Sequence, residues 1–211
     1  WIVKRLDIRS LYEVLKVQKE KTDEVFFLYY NMRQRDTSCD KRSAPRGRGM
    51  EQQHQIHTIS PVYNEHSRIL ILGSFPSVKS REAGFFYGHP QNRFWKVLAN
   101  VFQAEVPGTI EEKKAFLLEH RIAVWDVIGQ CEITGSSDSS IRNVVPNPIS
   151  KILETTKIEQ IFVNGKKAEQ LYQRYIYPQT KRNAICLPST SPANASWNLE
   201  KLTEAWKIVL G

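Results

Sequence analysis

The sequence is poor in cysteine and in long apolar runs, and each shortage excludes a class of protein. Its 211 residues include three cysteines, Cys39, Cys131 and Cys186. They lie too far apart in sequence to form paired zinc ligands, and they are one too few for a cluster held by four thiolates. No apolar run approaches the roughly 18 to 20 residues that span a bilayer, and residues 1–9 lack a signal-peptide pattern. We therefore expect reduced thiols, no metal or other cofactor, and a cytoplasmic protein.

The net charge of +8 points to nucleic acid only weakly, because most of it lies in one segment. Residues 1–49 contain 12 basic and 7 acidic residues, which leaves 18 basic and 15 acidic residues for positions 50–211. A globular part with a net charge of +3 binds phosphate through local patches rather than through a strong overall field. The overall composition, 41% hydrophobic and 25% charged, is that of an ordinary globular chain.

The first segment differs from the rest of the chain. Residues 33–49 contain no large apolar side chain, so they cannot bury enough surface to offset the entropy of ordering, and we interpret them as a flexible linker. The chain opens with Trp1, and Met50 follows the linker directly. Our hypothesis is that the natural protein starts at Met50 and that residues 1–49 are a poorly ordered basic segment outside the catalytic domain. The alternative is a basic arm that grips DNA.

Residues 50–211 are long enough for one domain with a full core. Apolar runs at 68–72, 122–125, 160–163 and 184–187 predict four buried strands. Helical spacing occurs at 94–102, after Lys166 and at 199–209. Alternation of strands and helices predicts an α/β fold, with a mostly parallel sheet covered by helices on both faces.

Small and polar residues follow every predicted strand. These segments are 73–77, Asp126, 164–167 and 188–194. The carboxyl ends of parallel strands meet at one edge, which is where an open α/β sheet binds its ligand. Glycine lets backbone N–H groups approach a phosphate or base, and hydroxyls add neutral donors. Any one of these loops is also explained as a turn with an N-capping serine, but the recurrence at four ends favours a binding site.

Several familiar active sites are excluded. Gln160 stands where a P-loop ending at Gly165 and Lys166 requires glycine, and neither the three-glycine dinucleotide fingerprint nor a Gly-x-Ser-x-Gly elbow occurs. None of the five histidines has a helical partner at metal-binding spacing.

The densest stretch of aromatic and amide residues is 85–95. A tyrosine or phenylalanine ring can stack on an extruded nucleobase, and the carboxamide of Asn92 can both donate to and accept from a base edge or a water. Asn92 is equally explained as a helix cap, and His89, before Pro90, as a turn residue. Phe94 and Trp95 are expected in the core.

Five segments in order resemble one known family. They are Gly73-Ser74-Phe75-Pro76-Ser77, His89-Pro90-Gln91-Asn92-Arg93-Phe94-Trp95, Trp125-Asp126-Val127, Asp138-Ser139-Ser140-Ile141-Arg142 and the stretch from Leu187 to Asn194. Over most of residues 65–211 the chain resembles the DNA-deoxyinosine (hypoxanthine-DNA) glycosylases, a branch of the uracil-DNA glycosylase superfamily. The stretch from His89 to Trp95 is also similar to mismatch-specific uracil glycosylases.

This resemblance implies a fold, a reaction and a set of site residues. The fold is a three-layer α/β/α domain with a four-stranded parallel sheet. The reaction is hydrolysis of the bond between a deaminated base and its deoxyribose in double-stranded DNA, without metal or cofactor, by a protein that we expect to be monomeric. The catalytic carboxamide is that of Asn92, with Asp126 a weaker candidate for holding the attacking water. The base-binding residues implied are Gly73, Ser74, Phe75, Tyr87 as a stacking ring, and His89; those for DNA are Ser77, Ser189, Ser191 and Asn194.

The chain departs from the wider superfamily at two positions. Ser74 and Phe75 replace the polar or acidic residue that holds the attacking water in classical uracil enzymes, and Leu187 replaces their histidine. The groups that stabilise an anionic uracil are thus missing, which favours the deoxyinosine branch. Two alternatives stay open: a glycosylase of broader range that acts on uracil or mispaired bases, and a non-enzymatic reader of damaged bases.

Overall fold

The protein is described here from a computed structural model, which describes residues 53–134 and 140–211. The expectations for residues 1–49, and for Asp138 and Ser139 in the fourth family segment, lie outside these residues. The strands are β1 (Gln53–Ile56), β2 (Ile69–Gly73), β3 (Ile122–Asp126), β4 (Ile128–Ile133), β5 (Arg142–Pro146), β6 (Gln160–Asn164) and β7 (Ala184–Leu187).

Helices connect most of these strands. They are α1 (Val78–Ala83), α2 (Phe94–Phe102), α3 (Ile110–Glu119), α4 (Ile149–Thr155), α5 (Lys166–Leu171), α6 (Tyr177–Thr180) and α7 (Leu199–Trp206). A π-helical turn, Tyr172–Ile176, joins α5 to α6, and a 3₁₀ turn, Lys207–Leu210, follows α7. None of the described helices is long and apolar enough to cross a bilayer.

The main sheet confirms the predicted fold class. Its four strands are parallel in the order β3-β2-β6-β7. All four were predicted, and three of them extend one residue further at the carboxyl end, so that Gly73, Asp126 and Asn164 are the last residues of their strands. Gly73 pairs with Asp126, which brings the first two predicted loops side by side at the same edge of the sheet.

The alternation of side chains along the strands builds two cores. On β2, Ile71 faces one core, while Leu70 and Leu72 face the other. The first core includes buried residues of α2, α3 and α7, among them Phe94, Leu117 and Trp206. The second core includes buried residues of α4, α5 and β4. The sheet is therefore covered on both faces, which gives the three layers expected of an α/β/α domain.

A second sheet was not predicted from the sequence. It is antiparallel with the order β1-β4-β5. Its outer strands β1 and β5 are mostly exposed or half-buried and lack the apolar runs that marked the main sheet. Only Val127 separates β3 from β4, and the buried Asn147 side chain donates to the carbonyls of Asp126 and Ile128 at 2.9 and 3.1 Å. Asn147 thus fixes the backbone at the end of β3.

Candidate active site

A pocket of about 860 Å³ opens at the carboxyl ends of the parallel strands. Its size is within the range of small-ligand sites. Ten of the predicted site residues line it: Gly73, Ser74, Phe75, Ser77, Tyr87, Asn92, Asp126, Ser189, Ser191 and Asn194. The remaining one, His89, is not among the lining residues. The pocket therefore brings together loops that lie more than 100 residues apart in the chain, as expected for this edge of an open sheet.

Asn92 stands at the entry to α2. Its Oδ1 accepts a hydrogen bond from the backbone N–H of Phe94 at 3.0 Å, which satisfies one of the donors left open at a helix start. Its amide nitrogen has no hydrogen-bond partner among the described residues, and the side chain lines the pocket. The capping and functional interpretations are therefore compatible, because the bond to Phe94 uses one lone pair of the oxygen and none of the amide hydrogens.

Gly73 lets the carboxylate of Asp126 come close to the backbone of β2. A Cβ placed on Gly73 would lie 2.1 Å from Asp126 Oδ1 and 3.3 Å from the hydroxyl of Tyr87. No side chain fits there without moving the carboxylate. Asp126 is itself 4% exposed and lines the pocket, so the sheet delivers a buried carboxylate oxygen to the pocket beside Gly73.

His57 is a residue that the sequence analysis missed. Its Nε2 lies 2.8 Å from Asp126 Oδ2, and its side chain is 1% exposed. The backbone N–H of Ile59 donates to His57 Nδ1 at 3.2 Å, so Nδ1 is the acceptor and Nε2 carries the hydrogen. The rings of Phe75 and Trp125 approach the imidazole edge-on. No local pattern marks His57, because its partner is 69 positions away.

Tyr87 is held in an unusual backbone conformation, with φ of 53°. One face of its ring stacks on Phe94, with centroids 3.8 Å apart, and the ring lines the pocket. Its hydroxyl is buried without a hydrogen bond of acceptable geometry among the described residues. Burial and then the negative charge of Asp126 raise the pKa of this phenol far above its ordinary value, and the nearby Asn164 lowers it slightly. Tyr87 is therefore neutral, and its stacking on a base stays a prediction.

Phe75 and Ser74 form the near wall. Phe75 is buried in the second core, with the Arg81 guanidinium 5.6 Å from its ring centre. Ser74 is half-buried, and its carbonyl accepts from Ile128 N–H. Ser77 caps α1 by accepting from the N–H of Ser80 at 3.2 Å.

The loop after β7 presents hydroxyl groups. Ser189 Oγ accepts from Ser191 N–H at 3.2 Å, and Ser191 Oγ accepts from Ala193 N–H at 3.3 Å. Each serine hydroxyl keeps its own hydrogen for an outside acceptor. Asn194 donates through its amide to the carbonyl of Ser189 at 2.9 Å, so part of its role is to shape this loop.

Two residues that sequence reasoning did not assign hold this loop in place. The guanidinium of Arg93, next to Asn92, donates to the carbonyls of Thr190, Ser191, Asn194 and Trp197. The side-chain amide of Asn164 donates to Thr190 Oγ1 at 2.9 Å and accepts from Thr190 N–H at 3.0 Å. The loop with the two serines is thereby fixed relative to Asn92.

His89 has local contacts. Its Nδ1 accepts from the N–H of Gln91 at 3.1 Å, and its carbonyl accepts from the N–H of Asn92 at 2.8 Å. It shapes the turn that delivers Asn92, and its contact with substrate stays a prediction.

Comparison with known proteins decides the family. Residues 60–210 match the family model described as "Uracil DNA glycosylase superfamily". The chain belongs to the uracil DNA glycosylase superfamily. Its hypoxanthine DNA glycosylase relatives include one from Methanosarcina acetivorans, 34% identical over 70% of this chain and 93% of the relative. Another, from Methanosarcina barkeri, is 30% identical over 64% of this chain and 85% of the relative.

A solved structure resembles this superfamily member along most of its length. It is a solution NMR structure of a Methanosarcina acetivorans protein proposed to be a uracil DNA glycosylase. The TM-score is 0.61 at 29% identity, covering 72% of this chain and 97% of the other. As a DNA glycosylase of this superfamily the protein has DNA as its substrate and belongs to DNA repair.

Proposed function

We propose that this DNA glycosylase removes hypoxanthine from deoxyinosine in double-stranded DNA by hydrolysing the N-glycosidic bond, which leaves an abasic site. The observation that carries the proposal is the convergence of Asn92, Asp126 and the glycine-containing first loop in one pocket. Serine hydroxyls line that pocket on the side of the last loop. The names of the two Methanosarcina relatives support the choice of base.

The first step is extrusion of the damaged nucleotide. Extrusion costs a few kcal/mol, and less for a weakly paired base such as hypoxanthine. The hydroxyls of Ser189 and Ser191 are suited to donate to backbone phosphates, since each has an unused hydrogen and sits in a loop braced by Arg93. The exposed ring face of Tyr87 is suited to stack on the base, because Phe94 already supports its opposite face.

Bond cleavage then requires a positioned water and stabilisation of separating charges. The sugar develops oxocarbenium character as the base departs. In our proposal Asn92 orients the water through the second lone pair of Oδ1, and its amide hydrogens are available to the base or the water. The carboxylate of Asp126 adds a negative charge at the buried end of the pocket, which favours a cationic sugar.

A broader glycosylase is the second candidate. The solved relative proposed to be a uracil DNA glycosylase favours it, and Leu187 at the position of the superfamily's histidine argues against it. A panel of duplexes that each contain one deoxyinosine, uracil or xanthine separates the two, with alkali revealing abasic sites. We expect strand breaks at deoxyinosine first and to the greatest extent.

The panel needs two controls. An undamaged duplex measures background breakage, and Asn92→Ala tests for a contaminating enzyme because it removes the proposed water-orienting group. Cleavage confined to uracil would select the second candidate. Binding to deoxyinosine without any abasic product would instead identify a damage reader.

A further inference from the structure

The buried contact between His57 and Asp126 sets the hydrogen-bonding polarity of the pocket. Because Ile59 N–H occupies His57 Nδ1, the imidazole presents Nε2–H to Asp126 Oδ2 at 2.8 Å. The imidazole is buried among the rings of Phe75, Phe86 and Trp125, and it cannot rotate freely. Whatever residue stands at position 126 must therefore offer an acceptor to His57.

The other carboxylate oxygen lies on the pocket side. Asp126 Oδ1 packs against Gly73, which also lines the pocket. An ionised carboxylate only accepts hydrogen bonds. Among the described residues, the titratable groups in contact with this carboxylate or acting on it are His57 and the neutral phenol of Tyr87. The pocket thus offers an acceptor beside Gly73.

We propose that His57 is a positioning residue that keeps Asp126 as an acceptor for a ring N–H of the extruded base, so that the pocket selects bases with a lactam edge. Deamination of adenine replaces the bare N1 acceptor by N1–H, and hypoxanthine can donate this hydrogen to Asp126. Adenine would place the N1 lone pair against the carboxylate instead. This inference rests on the proposed function, because it assumes that the base enters this pocket.

The substitution Asp126→Asn provides a sharp test. Since His57 must donate, the asparagine oxygen turns to His57 and its amide NH₂ turns to the pocket, which inverts the polarity from acceptor to donor without a change of shape. A base with a bare N1 is then favoured over hypoxanthine. His57→Leu removes the constraint, whereas the amide of His57→Gln can still donate to Asp126.

The experiment measures binding of two duplexes, one with deoxyinosine and one with deoxynebularine, whose purine has a bare N1 and no O6. A 2′-fluoro group on the target sugar blocks cleavage. We expect the wild-type protein to prefer deoxyinosine by roughly tenfold or more, the effect of one buried group left unpaired. Asp126→Asn and His57→Leu should reduce this preference about tenfold, whereas His57→Gln should keep it.

A matched control is His66→Gln, because the His66 side chain is 73% exposed and does not line the pocket. Thermal unfolding checks that each variant is folded, and Asp126→Asn decides the matter if His57→Leu is not. An unchanged preference in Asp126→Asn overturns the inference. Excision is measured separately on normal deoxyinosine duplexes, so an inactive wild-type protein that retains the binding preference contradicts the proposed function alone.

Discussion

At the scale of single residues, Asn92 combines a local structural task with a place in the pocket. Its oxygen accepts from Phe94 N–H at the start of α2, and its side chain lines the pocket. A substitution that lowers activity could therefore act through the helix cap or through the reaction. The two effects separate because a hydroxyl can replace the cap but not the carboxamide.

We expect Asn92→Ala to lower single-turnover excision by about a hundredfold or more, the effect of one lost transition-state contact. Asn92→Ser should restore the melting temperature, since serine also caps a helix, but not the activity. Asn100→Ala removes an exposed asparagine of the same helix, which bonds Thr203, and should leave excision unchanged. Recovery of activity in the serine variant would reduce Asn92 to a cap.

The residue scale also shows what a sequence can reveal about a site. Gly73, Asn92 and Ser189 lie in loops that directly follow or precede predicted elements, so their placement at the sheet edge follows from topology. His57 could not be placed in this way, because its contact with Asp126 depends on how β1 and β4 pair in a sheet without apolar runs. Arg93 was visible in the sequence, but the four carbonyls that it binds were not.

At the scale of elements, Arg93 connects the start of α2 to the loop after β7. Its backbone N–H and its guanidinium both donate to the carbonyl of Thr190, and the guanidinium reaches three further carbonyls. The planar guanidinium has five donors in a fixed arrangement, whereas a lysine ammonium is a compact group with three. The contact therefore depends on geometry more than on charge.

We expect Arg93→Lys to weaken DNA binding and lower the free energy of unfolding by about 1 to 3 kcal/mol, because carbonyls that lose their partner are costly when buried. Arg93→Gln should have a similar effect. Fluorescence titration with an abasic duplex and denaturant unfolding measure the two quantities. Lys96→Gln, which removes an exposed charge from the same helix, is the control. Full function in Arg93→Lys would indicate that charge alone matters.

The start of α3 carries a pH-dependent capping box far from the pocket residues in sequence. Thr109 accepts from Glu112 N–H, and the Glu112 carboxylate accepts from the backbone N–H groups of Thr109 and Gly108. These bonds hold the pKa of Glu112 below its ordinary value. Since the folded pKa is the lower one, this stabilisation is complete above the ordinary glutamate pKa of about 4.3 and is lost as the pH falls through the folded value.

We expect Glu112→Gln to melt below the wild-type protein at pH 6, and the difference to shrink as the pH approaches the folded pKa from above. Thermal unfolding followed by circular dichroism between pH 6 and the acid range measures it. Glu111→Gln removes the same charge from the same turn without breaking the box and serves as the control. A difference that stays constant with pH would assign the effect to something other than ionisation.

Sequence patterns predicted some elements better than others. The strands of the main sheet are buried on both faces and therefore appear as short apolar runs, and α2 and α7 each bury one apolar face. The strands β1 and β5 are mostly exposed or half-buried, so they resemble loops. The short α1 buries only Ser80 and depends on the Ser77 cap, which gives no apolar pattern to detect.

At the scale of the whole molecule, the second sheet continues the main one. Because β4 begins two residues after Asp126, the β3 carboxyl end is held by the main sheet through Gly73 and by the second sheet through the backbone bond from His57 N–H to Gly129. Residues 60–210 span the match to the superfamily. His57 lies just outside that range and belongs functionally with it in our proposal.

We propose that residues 50–211 suffice for excision. Every side chain that we assign to the pocket, to Asp126 or to the loop after β7 lies in this range, and the net charge of +5 in residues 1–49 adds only attraction that does not depend on base chemistry. The truncated chain should therefore excise deoxyinosine at saturating concentration as fast as the full chain. If the segment touches phosphates, truncation should also flatten the plot of log Kd against log salt concentration by about 0.9 per lost contact. A large loss of the saturated rate in a folded truncated protein would assign residues 1–49 a part in the reaction.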